Sequence, residues 1–388
     1  MKKNCIKHAR VVIKVVVLAS VLGGCVAPAA QAPSVHVSGA SLRFIGEQRL
    51  PWRQQFMGTT VGGLSGLDYD PASGTWIMES DDRSDINPAR FYNARLDYDE
   101  SAFRSVTLTG MYFFQQADGT HYPNAQTAAT QGGEVPDIES IRFDPRDASI
   151  WYASEGSRNL GFQPFVRHAT AKGKFLDTLT TPELFKVWPQ REYGVRDNFA
   201  FEGISFAPDG QSLWLALESS LYQDGPLPTL SDGAVSRITH LDRKGTVLAQ
   251  YAYRSEPNPP DATSGKRADN GISEILAVDE RHVYVIERAG VLQPGGAFRW
   301  HIRLFEFDTE GATDIQHFAA LEGRKYIPVR KRQLLDLADL PLGQVDNIEG
   351  VAWGRRLVNG HDTLVMVSDD NFARSQVTQL LLFEVLPK

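Results

Sequence analysis

One pattern recurs five times along the 388 residues, and it limits the possible fold more than any single motif does. The segments are GLSGLDYDPASGTWIMESDD (63–82), DIESIRFDPRDASIWYASEGS (137–157), FEGISFAPDGQSLWLALESS (201–220), GISEILAVDERHVYVIERAG (271–290) and NIEGVAWGRRLVNGHDTLVMVSDD (347–370). Each has an alternating apolar run, a turn rich in Asp, Pro or Gly, and a second alternating run that usually holds Trp or Tyr. Alternation at a period of two is the mark of a strand with one face buried, so each segment reads as a β-hairpin. Trp76, Trp151 and Trp214 fall in one column of this alignment.

A weaker strand pair follows each hairpin, at 91–110, 165–179, 237–253 and 301–319. Four strands per unit, repeated with little helical periodicity, predict an all-β chain folded as a β-propeller. The fifth hairpin is followed by only one strand, QLLLFEVL (379–386), and the missing one is available as SLRFIGEQRL (41–50). Closing the ring with strands from both ends removes a free sheet edge. The count is five blades, with room for a degenerate sixth in 110–136 or 320–345. The second of these stretches reads as a loop with a short helix over 331–337.

The N-terminus carries a different signal. Lys2, Lys3, Lys7 and Arg10 form a basic region, 15–22 is a short apolar run, and Leu22-Gly23-Gly24-Cys25 follows. This resembles a lipobox, in which a signal peptide over 1–24 is removed and Cys25 is lipidated. Lys14 makes the apolar run too short for a spanning helix. Val26, where an Asp would retain the product at the inner membrane, favours the outer membrane. The domains expected are therefore a signal peptide (1–24), a lipidated tether (25–40, rich in Ala, Pro and Ser) and a propeller (41–388). Cys5 and Cys25 are the only cysteines, so the propeller has neither disulfide nor thiolate metal site. Loss of the five basic residues in 1–24 moves the formal charge from -7 to -12. An acidic domain without a basic tract argues against a nucleic-acid partner. The membrane is met through the lipid alone, and the protein is expected to be a monomer.

The acids of the repeats are placed with regularity. In an antiparallel hairpin, the residue entering the first strand and the one leaving the second lie at the same end. Glu139 pairs in this way with Glu155, Glu202 with Glu218, and Glu349 with Asp369 and Asp370. Ser65 pairs with Asp81 and Asp82, and Glu274 with Glu287. If these hairpins are innermost, their acids converge on one mouth of a central channel. Crowded carboxylates need a proton or a cation. Six to eight oxygen donors without sulfur or imidazole suit Ca²⁺ better than zinc. Asn198, Asn270, Asn347 and Asn371 can add carbonyl oxygens. Glu139, Glu202, Glu349, Asp369, Asp370 and Asp81 are the candidate metal ligands. Glu155 and Glu218 are the candidate bases, and Arg158 or Arg288 the candidate holders of an anionic substrate. Arg83 and Arg374 also lie beside the acids. His121 is a candidate base only if its loop overhangs the mouth. No Gly-x-Ser-x-Gly elbow, Gly-rich phosphate loop or dinucleotide fingerprint is present.

GGLSGLDYD, PDIESIRFDP, NFAFEGISFAPDG, VDNIEGVAWG and VMVSDDNF resemble the phytase-like family described as "esterase-like activity of phytase", over about 44–386. The resemblance implies a propeller and a metal-assisted hydrolase of phosphoesters or carboxyl esters. The Asp-Asp-Pro-Ala-Ile-Trp type of motif found in alkaline propeller phytases is not in this chain. The expected substrate is a small anionic ester, phosphoester or lactone. The alternative is a non-catalytic envelope scaffold with a structural calcium.

Overall fold

A computed structural model describes residues 1, 36, 38–262 and 268–387. Cys25, the signal peptide and most of the tether lie outside the described residues. Five four-stranded antiparallel sheets are arranged as a five-bladed propeller. Blade 1 comprises Leu67–Asp70, Thr75–Ser80, Arg90–Tyr98 and Phe103–Phe113. Blade 2 comprises Ile138–Phe143, Ile150–Ser154, Phe165–Ala169 and Phe175–Thr178. Phe201–Phe206, Ser212–Leu217, Val235–Asp242 and Val247–Arg254 make blade 3, and Ala268–Ala277, His282–Leu292, Phe298–Asp308 and Arg330–Asp336 make blade 4. Blade 5 is built from both ends of the domain, with Asn347–Trp353, Thr363–Asp369 and Thr378–Leu386 joined by the outermost strand Ser41–Leu50.

The repeated hairpins are the two inner strands of each blade, and the innermost strands neighbour one another in a closed ring. Apolar side chains on the two faces of each sheet fill the gaps between blades, so each of five large hydrophobic clusters belongs to one interface. Trp151 fills the interface of blades 2 and 3, and Trp214 that of blades 3 and 4. Trp76 departs from the expected column. It is one residue out of step, so it faces blade 5, and Ile77 takes the matching place toward blade 2.

Two further expectations are corrected. The outer strand of blade 4 is Arg330–Asp336, where a short helix was expected, and not 312–319. Ion pairs of Arg332 with Glu306 and Arg330 with Asp308 hold this charged strand to its neighbour. The 312–319 segment instead lies along the outer strand of blade 3, where Ile315 N–H donates to Gln250 O at 2.8 Å. It thereby covers an otherwise open edge. The stretch 110–136 holds the end of a strand and the helix Ala125–Gln131, not a sixth blade. At the end of the expected tether, His36 stacks on Trp353 with ring centroids 3.7 Å apart and meets Asp362 at 3.0 Å.

Candidate active site

The inner strand of a propeller blade has one edge with no neighbouring strand, and its backbone groups must find other partners. Here side chains supply them. Asp68 accepts from Phe143 N–H, Ser140 from Ile204 N–H and Ser205 from Ala277 N–H, at 2.8, 3.2 and 2.8 Å. Arg142 does the rest. Its guanidinium donates to Leu67 O (2.6 Å), Ile141 O (3.2 Å), Ile204 O (2.8 Å), Ile275 O (3.0 Å) and Val351 O (3.2 Å), one carbonyl from each blade. A single buried cation therefore closes the channel on its axis. Glu274 meets Arg142 at 2.7 Å and accepts from Ser140 Oγ at 2.9 Å. Burial pushes the Glu274 carboxyl up to about 8, despite Arg142.

The acid mouth lies next to this plug. In blades 2, 3 and 5 the pairing slips at the acid itself, between Ile138 and Ser140, Phe201 and Gly203, and Ile348 and Gly350. A bulge inserts one extra residue and re-aims its side chain. Glu139, Glu202 and Glu349 are those residues, and Ser65 holds the same place in the blade 1 repeat. In blade 4 the slip falls between Ile272 and Glu274, so the residue in the acid column is Ser273 and Glu274 lies one step further along. The second column, leaving the hairpins, holds Asp81, Glu155, Glu218 and Asp369 in blades 1, 2, 3 and 5. Blade 4 puts Arg288 there, opposite Gly271. The expected pair of Glu274 with Glu287 is thus replaced by Ser273 with Arg288. Glu287 points away from the channel, bonded to Tyr253 OH at 2.7 Å and to Glu256 N–H at 2.8 Å.

Eight carboxylates share this mouth: Asp81, Asp137, Glu139, Glu155, Glu202, Glu218, Glu349 and Asp369. Among the described residues, two arginines face them. Arg288 reaches Glu218 at 3.3 Å and Glu349 at 3.4 Å, and Arg83 pairs with Asp137 at 2.5 Å. Burial, and then repulsion from neighbouring acids, holds Asp81, Glu139, Glu155, Glu202 and Asp369 well above the usual carboxylate range. Glu218 is pushed to about 8 by burial against the pull of Arg288, and Asp137 to about 6 by burial against Arg83. Carboxylate oxygens of Asp137, Glu139 and Glu155 lie within 4.8 Å of one another, as do those of Glu155, Glu202 and Glu218. Glu155 belongs to both groups. Among the described residues Glu218 Oε2 is buried without a hydrogen-bond partner, and so is Asn347 Oδ1 on the blade 5 side. Hard, crowded oxygen donors with an unsatisfied oxygen among them fit a divalent cation such as calcium.

Space at the mouth is reserved by glycine. Gly63 sits at φ +62°, and a Cβ there would fall 2.2 Å from Asp81 Oδ1. A Cβ on Gly203 would meet Glu274 Oε1 and Ile275 N at 2.8 Å.

The remaining candidates lie elsewhere. Asp370 caps neighbouring loops, accepting from Gly63 N–H at 2.9 Å and Phe372 N–H at 3.1 Å, with Oδ2 unpartnered. Asp82 is spent on buried Arg90 at 2.7 Å and on the amides of residues 85–87. Arg158 turns from the acids, donating to Trp188 O at 2.8 Å and Arg191 O at 2.6 Å and lying over the Tyr222 ring. Arg374 lies over Trp52. Of the asparagines, Asn347 joins the ring, donating to Glu349 at 2.9 Å, and Asn198 accepts from Arg83 at 2.8 Å. Asn270 instead donates to Glu256 O at 2.7 Å. The amide of Asn371 donates to Asp369 at 2.6 Å. His121 is exposed and packs its ring against Phe113, at the outer strand of blade 1. Sequence reasoning missed Arg142. Its signal was an arginine at an inner-strand position where the other repeats hold Asp68, Ser205, Leu276 and Ala352.

No curated protein matches the chain. Among solved structures, the Dos1 propeller aligns with a TM-score of 0.33 at 9% identity, covering 84% of this chain and 68% of that one. The β-propeller domain of Myceliophteria thermophila Cps50 (Swd1) aligns with the same TM-score, 0.33, at 8% identity, covering 87% and 98% respectively. A family described as Phytase-like, "Esterase-like activity of phytase", matches residues 59–372, a span that holds all five inner hairpins and every acid of the mouth, and the chain belongs to that family.

Proposed function

We propose that this propeller is a calcium-assisted hydrolase of small anionic esters, phosphoesters or lactones, and that the acid mouth is its active site. The observation that carries this reading is the imbalance at the mouth, where, among the described residues, eight buried or half-buried carboxylates meet only Arg83 and Arg288. In the layer beneath, by contrast, Glu274 is paired with Arg142. Glu139, Glu155, Glu202 and Glu218 are the residues that would hold the cation, with Asp137 beside them. When bound, it supplies Lewis acidity toward a phosphoryl or carbonyl oxygen and lowers the pKa of a coordinated water. Arg288, flanked by Glu218 and Glu349, offers its guanidinium to the anionic end of the substrate. Whichever of Glu155 and Glu218 is not taken up by the cation would receive a proton from the attacking water. The Arg142 plug leaves the site open at one end only.

Hydrolysis of p-nitrophenyl phosphate, p-nitrophenyl acetate and short lactones, assayed with and without calcium, tests the reading. Glu202→Gln is expected to lower both bound calcium and turnover. If no substrate turns over in calcium and the variant keeps its full calcium content, the reading fails. The lipobox-like Leu22-Gly23-Gly24-Cys25 supports an envelope lipoprotein, and Val26 after it supports the outer membrane; a monomer is part of the same proposal. Palmitate labelling that persists in Cys25→Ser would refute that placement.

A further inference from the structure

The chain enters the propeller at the end opposite the acid mouth. The inner strand of blade 5 starts at Asn347, which belongs to the mouth, and ends at Trp353. Trp353 pairs with Leu364, whose neighbour Thr363 stands opposite Glu384 in the next strand. The outermost strand begins at Ser41, opposite Leu386. Ser41 and Trp353 therefore share the far end of blade 5, separated by its width.

The residues before Ser41 are drawn in from that outer edge. Ala40 is buried, and Gly39 N–H donates to Glu306 Oε1 at 2.7 Å. His36 reaches the inner strand. Its ring lies flat on Trp353, with centroids 3.7 Å and planes 7° apart, and its Nδ1 meets Asp362 Oδ2 at 3.0 Å. The indole beneath is itself fixed, donating to Ala277 O of blade 4 at 2.9 Å and packing on Tyr284. Held this way, the His36 side chain is only 10% exposed.

Distances decide what this contact does. Ten residues, 26–35, lie between Cys25 and His36, and fully extended they span about 35 Å. A blade is about 14 Å wide from inner to outer strand, and its inner strand rises about 20 Å from the far end to the mouth. To bring the mouth against the membrane that holds the lipid, the tether would have to cross the blade and climb its side. That path takes up nearly all of its reach. With the chain fixed only from Ser41, at the outer edge, the free stretch would be 26–40, about 50 Å long, with only the climb to make.

We infer that His36 and Trp353 form a clamp that turns the mouth away from the membrane carrying the lipid, so that the site meets soluble substrates of the envelope and not the ester lipids of that membrane. This rests on the lipoprotein reading of Cys25 and is independent of whether the mouth is catalytic.

The experiment uses the full chain, produced in a bacterial envelope host, purified with its lipid and reconstituted in phosphatidylcholine vesicles that carry a headgroup quencher. Removal of 1–24 and acylation of Cys25 leave no thiol, so Val358→Cys or Leu160→Cys accepts a fluorophore at one place. Both positions are exposed, Val358 in the turn after Trp353 and Leu160 in the loop after Glu155 on the mouth side. Because the two ends lie about 20 Å apart, the Val358→Cys probe is expected to be quenched about threefold more than the Leu160→Cys probe. His36→Ala, which lengthens the free tether, should bring that ratio to about one, and His36→Phe, which keeps a flat ring on Trp353, should restore it. Equal quenching with His36 in place overturns the inference, as does stronger quenching at Leu160→Cys or a ratio that survives His36→Ala. A fluorophore taken up by Cys25 itself would remove the lipoprotein reading and the inference with it. An acylated chain with equal quenching would remove the inference alone.

Discussion

Two layers of one channel, two residues apart along the inner strands, solve opposite problems. In the deeper layer, one guanidinium is shared among five carbonyls and Glu274, and each blade contributes to its satisfaction. In the outer layer, among the described residues, the carboxylates outnumber the cations, two groups of three crowd within 4.8 Å, and Glu218 Oε2 has no partner. The same five hairpins build both. The difference teaches that converging inner strands do not themselves make a site. A site arises where the converging groups are left uncompensated, and the carbonyls beneath show that this chain can satisfy converging backbone groups with one side chain, Arg142.

Removing the plug should have the largest effect. Arg142→Met strips five buried carbonyls of a donor and leaves Glu274 without its partner, for a loss of about 3–5 kcal/mol in urea unfolding. Glu202→Gln, measured the same way without metal, should change stability by less than about 1 kcal/mol, because it removes a repelled charge. If the two variants lose the same amount, the contrast between the layers is broken.

Calcium sharpens it from the other side. At a hundredfold excess over its dissociation constant, the ion should stabilise the fold by about 2.7 kcal/mol, reversed by chelator. Glu155→Gln, which touches both carboxylate groups, should abolish most of that gain as followed by thermal melting. Gly203→Ala probes the tight seam between the layers. Its Cβ would press on Glu274 and the Ile275 amide, for a cost of about 1–3 kcal/mol in the same melts.

The pH slope of the metal-free protein tests the same layer. Glu218 titrates near 8 when folded against 4.5 in the open chain, and Asp137 near 6 against 3.8. The folded state therefore keeps protons that the unfolded state has released. Stability should fall as pH rises, from about pH 4 through 6 for Asp137 and from about 4.5 through 8 for Glu218, by roughly 1.4 kcal/mol per pH unit per retained proton. Calcium should flatten this slope, because its ligands are already ionised. A metal-free protein that gains stability across that window would show that its mouth is compensated after all.

Much of the mouth was legible in the sequence, for a specific reason. Glu139 with Glu155, Glu202 with Glu218 and Glu349 with Asp369 sit at hairpin ends, and hairpin ends are fixed by local alternation and turn chemistry. Glu274 was read into the acid column and Trp76 into the tryptophan column, although each sits one residue out of step, and a one-residue slip changes the face of a side chain. For Glu274 the slip is a bulge between Ile272 and Glu274, which alternation within one hairpin does not report. Trp76 pairs with Tyr69 without a bulge and stands one residue closer to Ser65 than Trp151 does to Glu139. The outer strand Arg330–Asp336 was misread for another reason. It is a charged edge whose pairing depends on Glu306 and Asp308, more than twenty residues away.

By itself the sequence determined the five-fold repeat, the closure of blade 5 by strands from both ends, and the convergence of acids on one mouth. These follow from periodicity and from the geometry of a single antiparallel turn, which act within about twenty residues. Only the tertiary structure decided that Arg288 stands in the acid column, that Arg158 faces away from it, and that Arg142 gathers one carbonyl from every blade. Those outcomes depend on how five hairpins meet about an axis, because a guanidinium has one set of donors in one place and its partners come from residues as far apart as Leu67 and Val351.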